Sequence, residues 1–234
     1  MAELFDKYER ALRGESTASS KVDSVHIAGS GVVAGGKYNR ISISGSGKVT
    51  GNIEAEEIRV SGSARFMGDV TAQFFKCAGS CKIEGNVKSD LFKSAGSLSI
   101  SGSIEGNEVK IAGALKSYGI KARILHVSGS FKAESVEAEE AFFEISEEAV
   151  AEKIVAKRIT VRPSRGENML SLGKILKYAL RRHALPILEA SEISADSVTV
   201  EDVIIKGNIV AKEIVLRGKA DIVGSIQGEV KKEK

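Results

Sequence analysis

Few residues in this chain are suited to chemistry. Three histidines (His26, His126 and His183) and two cysteines (Cys77 and Cys81) are the entire supply of imidazole and thiol groups in 234 residues. Two cysteines are too few for a disulfide scaffold and the wrong number for a closed zinc site. Buried free cysteine behaves as a small hydrophobe, and that is the expectation here. The stretch GSGVVAGG at 29–36 has the composition of a phosphate-cradling loop. Such a loop opens a helix with Lys-Ser or Lys-Thr, and this one does not. It also returns once per repeat, so corner glycine accounts for it better than nucleotide binding. What remains is charge, and its meaning depends on the elements that hold it.

Those elements follow from a repeat. From residue 25 onward the chain returns to one phrase: apolar, any residue, apolar, small, glycine. The glycine recurs at Gly29, Gly45, Gly62, Gly79, Gly96, Gly113 and Gly129, in steps of 16 or 17 residues. Each unit holds three short apolar pieces, shown by Ile41 and Ile43, then Val49, then Ile53 and Ala55. Alternation puts every second side chain on one face, so the pieces read as strands with one face inward and one in water. Glycines such as Gly45 and Gly51 mark corners, where positive φ costs glycine little. Three strands and three corners make a triangular coil.

The third piece traces the coil furthest: Ile53, Val70, Val87, Ile104, Ile120, Val136, Ile154, Ile193, Ile209 and Ile226. The only long step, from Ile154 to Ile193, equals one winding plus about 22 residues, so the same solenoid resumes after an insertion. Within that insertion Leu172, Ile175, Leu176, Ala179 and Leu180 recur at helical spacing, predicting one amphipathic helix over about 167–184, with Pro186 beyond its end. A second short helix is expected over 2–13, carrying Leu4, Tyr8 and Leu12 on one face. The resulting organisation is an N-terminal helix and linker (1–22), nine windings (23–163), the inserted helix (164–186), the resumed solenoid (187–229) and a loose charged tail (230–234). The fold class is all-β: a right-handed parallel β-helix of about eleven windings, right-handed because parallel crossovers overwhelmingly are.

Composition narrows the function. A net charge of +3, from 34 basic and 31 acidic residues, is too balanced to imply a specific nucleic-acid partner. No Trp, 5% aromatics and 24 Gly suit a narrow interior with tight corners, not a pocket for a small-molecule substrate. No stretch approaches the roughly 20 apolar residues of a membrane span, so a cytoplasmic protein is expected. The enzymes nearest in architecture, left-handed β-helix acyltransferases and carbonic anhydrases, carry strict six-residue repeats and catalytic histidines. Here His26 and His126 occupy the same outward position six windings apart, roughly 29 Å at about 4.8 Å per winding. They share no intrachain metal site, and neither catalysis nor a cofactor is expected.

Ser-Gly-Ser at 61–63, 101–103 and 128–130, set in the 17-residue glycine phrase, resembles the bactofilins, a family of polymer-forming cytoskeletal proteins. The resemblance is best over 25–131. It implies a right-handed parallel β-helix that polymerises without nucleotide, often at the membrane, organising envelope or chromosome partners. The helical insertion and the acidic, glycine-poor stretch KAESVEAEEAFFEISEEAVAEK depart from the family pattern.

Two kinds of interaction surface are expected. End windings expose unpaired strand edges, and the last one offers Ile214, Leu216, Ile222 and Ile226 for self-assembly into homo-oligomers or filaments. Along the side, one outward column carries Arg59, Lys76, Lys93 and Lys110, and a second carries Lys48, Arg65, Lys82 and Lys116. Stacked like charges repel at strand spacing. The columns, together with Lys174, Lys177, Arg181 and Arg182 on the inserted helix, therefore suggest docking to an anionic membrane or an acidic partner. The alternative to a scaffold is a monomeric rod that docks such a partner through this basic face or helix.

Overall fold

Inward apolar side chains alternating with outward polar ones, broken at fixed intervals by glycine, make a chain that winds and stacks on itself. The computed structural model describes residues 22–164 and 185–233. These form one 12-stranded parallel sheet coiled into a solenoid of about eleven windings, with no helix among the described residues. The strands are β1 (Val22–Ile27), β2 (Ser30–Ile43), β3 (Ser46–Val60), β4 (Ser63–Phe66), β5 (Val70–Ile83), β6 (Val87–Ile100), β7 (Ser103–Lys116), β8 (Gly119–Pro163), β9 (Ile187–Glu201), β10 (Ile204–Arg217), β11 (Asp221–Val223) and β12 (Ile226–Glu233). Most are longer than the two-to-four-residue pieces expected. β2, β5, β6 and β7 each run 14 residues, because hydrogen bonding to the neighbouring winding continues around corners.

Register follows the tracer residues. Ile53 faces Val70, Val70 faces Val87, Val87 faces Ile104 and Ile104 faces Ile120. Beyond the insertion Ile154 faces Ile193, which faces Ile209, which faces Ile226. Ile187 lies one winding above Glu148 and Val200 one winding above Val161, so the strands on either side of residues 165–184 belong to one stack. The two helices expected over 2–13 and 167–184 lie outside the described residues. Within β8 the windings widen: Lys157 pairs with Glu139 at 3.0 Å and Arg158 with Glu140, each joining residues 18 apart.

The interior is a set of columns. Ile43, Val60, Cys77, Ser94, Ile111 and Val127 are all buried, as alternation requires. Phe66, Phe75 and Phe92 form a continuous aromatic stack, with ring centroids 5.8 Å and 4.8 Å apart, and Phe131 lies 5.1 Å from Phe143. Full burial of each such ring contributes roughly 1.5–3 kcal/mol. Two corners lock the windings together. At the first, a Cβ on Gly45 would sit 2.3 Å from the Gly29 carbonyl oxygen, and Gly62, Gly79, Gly96, Gly113 and Gly129 face the same obstruction. Space demands glycine at all six, and Gly79, Gly96, Gly113 and Gly129 also adopt positive φ, as does Gly51 at another corner (φ +94°). At the second, side-chain oxygens reach one winding up: the Asp69 amide donates to Asn52 Oδ1 (2.9 Å), the Asn86 amide to Asp69 Oδ1 (2.7 Å) and the Ser103 amide to Asn86 Oδ1 (3.0 Å).

The tail departs from expectation. Residues up to Glu233 are not loose but belong to β12, where Val230 faces Ile214 and Lys232 faces Leu216. The cause is the open edge of β10, whose backbone groups need partners. Ion pairs Lys231–Glu213 (2.7 Å) and Arg217–Glu233 (2.8 Å) add to the pairing.

Two outcomes test the register. Ile111 is 2% exposed and the neighbouring Lys110 is exposed. Ile111→Asp should cost several kcal/mol by burying an unpaired carboxylate, and Lys110→Asp should cost about 1 kcal/mol or less. Similar shifts in chemical denaturation would refute the alternation. Replacing residues 165–184 with a short glycine linker should leave far-ultraviolet circular dichroism β-rich and the unfolding transition cooperative, and loss of that transition would refute the shared stack.

Candidate assembly edge and charged faces

The last winding is built by β11 and β12, and no strand lies beyond them among the described residues. Ile214 (0% exposed) and Leu216 (8%) sit one winding below it, inside the core. The sequence reading placed them on the terminal face because it took residues 230–234 for a tail, and β12 covers them. The terminal apolar groups are instead Ile222, half-buried over Ile205, Ile226 (41% exposed) over Ile209, and Val230 (40%) over Ile214. Sequence reasoning missed Val230, although its spacing of four from Ile226 continues the inward alternation. The next inward position, above Leu216, holds Lys232. An inward-pointing charge is a familiar guard against uncontrolled edge pairing.

Both cation columns exist in register, and they differ. In the first, Ser42, Arg59, Lys76, Lys93, Lys110 and His126 stack one above another. Carboxylates flank them. Arg59 bonds Glu57, which also holds Arg40 at 2.7 Å, and Lys110 bonds Glu108. Lys110 keeps the Glu108 carboxyl below its usual range, with Lys93 and Arg123 contributing. In the second column Val32, Lys48, Arg65, Lys82, Ser99, Lys116 and Lys132 stack in the same way. Arg65 turns to Glu84 (Nε to Oε1, 2.9 Å). Lys48, Lys82, Lys116 and Lys132 are exposed and form no ion pair among the described residues. On the third strands the ladder neutralises itself in pairs, Lys37–Glu54 (2.8 Å), Lys88–Glu105 (3.4 Å) and Lys121–Glu137 (3.1 Å), with Thr71 between the first two. Lys174, Lys177, Arg181 and Arg182 lie outside the described residues.

Other chemistry-bearing groups are absorbed by the fold. Cys77 and Cys81 are buried and unbridged, and the hydrogen bond that the Cys81 thiol donates to Cys77, together with burial, pushes Cys81 far above its ordinary value, so it stays protonated. His126 is half-buried, with Nε2 3.5 Å from Glu144 and its ring 6.2 Å from Phe142. Among the described residues no three His, Cys, Asp or Glu side chains are grouped to hold a metal ion. No helix among them is long and apolar enough to cross a membrane. A shallow groove of about 820 Å³ follows the third strands from Lys88 to Asp196. Its walls are the self-neutralising ladder, its floor small residues such as Gly106 and Ala122.

The stacked glycine corner and its 17-residue period find a counterpart among known proteins. Residues 10–105 match the bactofilin family model, described as polymer-forming cytoskeletal. Over that stretch the chain is similar to the bactofilins. The match ends in β7, yet β7 pairs with β8 in unbroken register, and the same stack of windings continues to Glu233. The bactofilin match points to a structural, polymer-forming role. No curated protein and no solved structure matches the chain.

The acidic stretch predicts a response to pH. Burial alone would raise the Glu144 carboxyl, but hydrogen bonding to Arg162 and its charge hold it below the usual range. Glu139 beside Lys157 is lowered likewise, first by its hydrogen bond. A folded-state pKa below the unfolded one gives stabilisation that is complete above the ordinary carboxylate range and lost as pH falls through the depressed value. The melting temperature should therefore hold steady from neutrality to about pH 5 and fall below about pH 4. Glu144→Gln should lower the neutral plateau and flatten the acid limb. An unchanged acid limb would show that Glu144 contributes nothing to it.

Proposed function

We propose that the chain is a cytoplasmic scaffold subunit that polymerises without nucleotide through the edge of its last winding, with the coil right-handed. The observation that carries this reading is the β11–β12 edge. Among the described residues it is a strand with one side unpaired, bearing Ile226 and Val230 at 41% and 40% exposure above the buried Ile209 and Ile214. Pairing that edge with another copy would satisfy the backbone groups and complete the column. Lys232 limits the reaction by placing an ammonium where Leu216 stands one winding below. Assembly then draws on Ile222, Ile226 and Val230, while the side faces remain free for other contacts.

The monomeric docking rod is the second reading, and the unpaired lysines of the second column favour it. Negative-stain electron microscopy and sedimentation separate the two. Filaments or sheets are expected from the wild type without added nucleotide. Ile226→Lys should abolish them and leave a folded, soluble rod, since the site is half in water and costs the fold about 1 kcal/mol. Lys232→Leu should have the opposite effect, lengthening polymers or lowering the concentration at which they form. A wild type that sediments as a monomer at every concentration and salt would overturn the scaffold and leave the docking rod.

A further inference from the structure

The second cation column has a companion. Two residues before each of its members stands Ser30, Ser46, Ser63, Ser80, Ser97, Ala114 or Ser130, and these positions stack on one another in the same register. Residues two apart on a strand share a face. The outward surface of the second strands is therefore a lattice: hydroxyl and cation about 6.6 Å apart across the strand, repeating about every 4.8 Å along the rod. Four windings carry both members: Ser46 with Lys48, Ser63 with Arg65, Ser80 with Lys82, and Ser130 with Lys132. The four hydroxyls donate to nothing among the described residues, and the three lysines are free of ion pairs there. The third-strand face neutralises itself, and on the first-column face Glu57 and Glu108 pair with Arg59 and Lys110 but leave Lys76 and Lys93 without an ion pair among the described residues; on this face only Arg65 has one. Glu84 engages Arg65, and Glu134 stands two residues beyond Lys132.

We infer that this lattice is a binding track for a linear phosphate polymer lying along the rod axis. From Lys48 to Lys132 the track spans five winding steps, roughly 24 Å. Lysine binds phosphate as a mobile point charge and tolerates a repeat that does not match its own. A tetrahedral phosphate has enough acceptor oxygens to take a hydroxyl and an ammonium from the same winding. Membrane lipid fits less well, because the track is one cation wide and its exposed apolar groups, Val32 and Met67, are isolated. Single-stranded nucleic acid fits less well too, since recognition there stacks successive bases on aromatic rings and, among the described residues, only Tyr118 stands near. The track lies on the side of the rod, so it does not depend on assembly at the ends.

The test is titration of the full chain with inorganic polyphosphate across a salt series, with filament formation scored on the same samples. Five cations predict a slope of log K against log salt of about −3.5. Lys82→Glu, Lys116→Glu and Lys132→Glu together should weaken binding at least about thirtyfold and flatten that slope. Ser63→Ala, Ser80→Ala and Ser130→Ala together should weaken it about threefold to tenfold at unchanged slope, because hydroxyls release no counterion. The first-column set Lys76→Glu, Lys93→Glu and Lys110→Glu should stay within about threefold of wild type. The inference is overturned by any of four results: no binding, equal losses from the two lysine sets, a neutral serine set, or equal competition from anionic vesicles or oligodeoxythymidine. Binding without filaments would count against the scaffold alone, and filaments without binding against the track alone.

Discussion

Each winding bonds through its backbone to the winding beneath, and the closest point of that contact is the corner where Gly45 meets the Gly29 carbonyl and Gly62 meets Gly45. A methyl group at any one of these sites would lift the winding off its neighbour and pull its strands out of hydrogen-bonding distance. The Asn52–Asp69–Asn86 ladder solves the complementary problem at another corner by supplying acceptors for amides that the turn leaves without strand partners. With both corners satisfied, the interior is free to be filled by whatever volumes stack well, including the Phe66–Phe75–Phe92 column and the small Cys77 and Ser94.

Stacking at strand spacing also turns sequence charge into linear arrays whose sign patterns decide what each face can do. Where the sign alternates from winding to winding, as from Lys88 to Glu105 and from Lys121 to Glu137, the face neutralises itself. In the later windings the acidic residues 139, 140 and 144 are matched by Lys157, Arg158 and Arg162 one winding on. The stretch that looked out of place in the repeat is half of a charge zipper. The second strands of the earlier windings lack such partners, which is why their lysines point unpaired into solvent.

Much of this was legible in the sequence because solenoid geometry is nearly one-dimensional: the period sets the register, and alternation within it sets burial. Tracer residues such as Ile154 and Ile193 located each other across 39 positions for that reason. The terminal winding was misjudged because EVKKEK is too polar to look like a strand, and only the unpaired edge of β10 makes it one. Interactions running sideways between columns were not visible either. The pairing of Glu57 with Arg59 and of Glu108 with Lys110 depends on side-chain reach, which a linear period does not encode. The companionship of Ser and Lys on the second strands was present as Ser-x-Lys, but it acquires meaning only once the two columns share one face.

The reunion of the chain at Ile187 has a further consequence. Ile154 and Ile193 are neighbours through interwinding hydrogen bonds and a common core, and the covalent path between Pro163 and Ile187 is not what holds them together. That path acts as a tether, raising the local concentration of the last windings at a surface they would recognise unaided. The polypeptide is thus continuous where the architecture does not need it to be. A chain severed between residues 164 and 185 would remain one object, a two-piece protein whose halves associate as windings do.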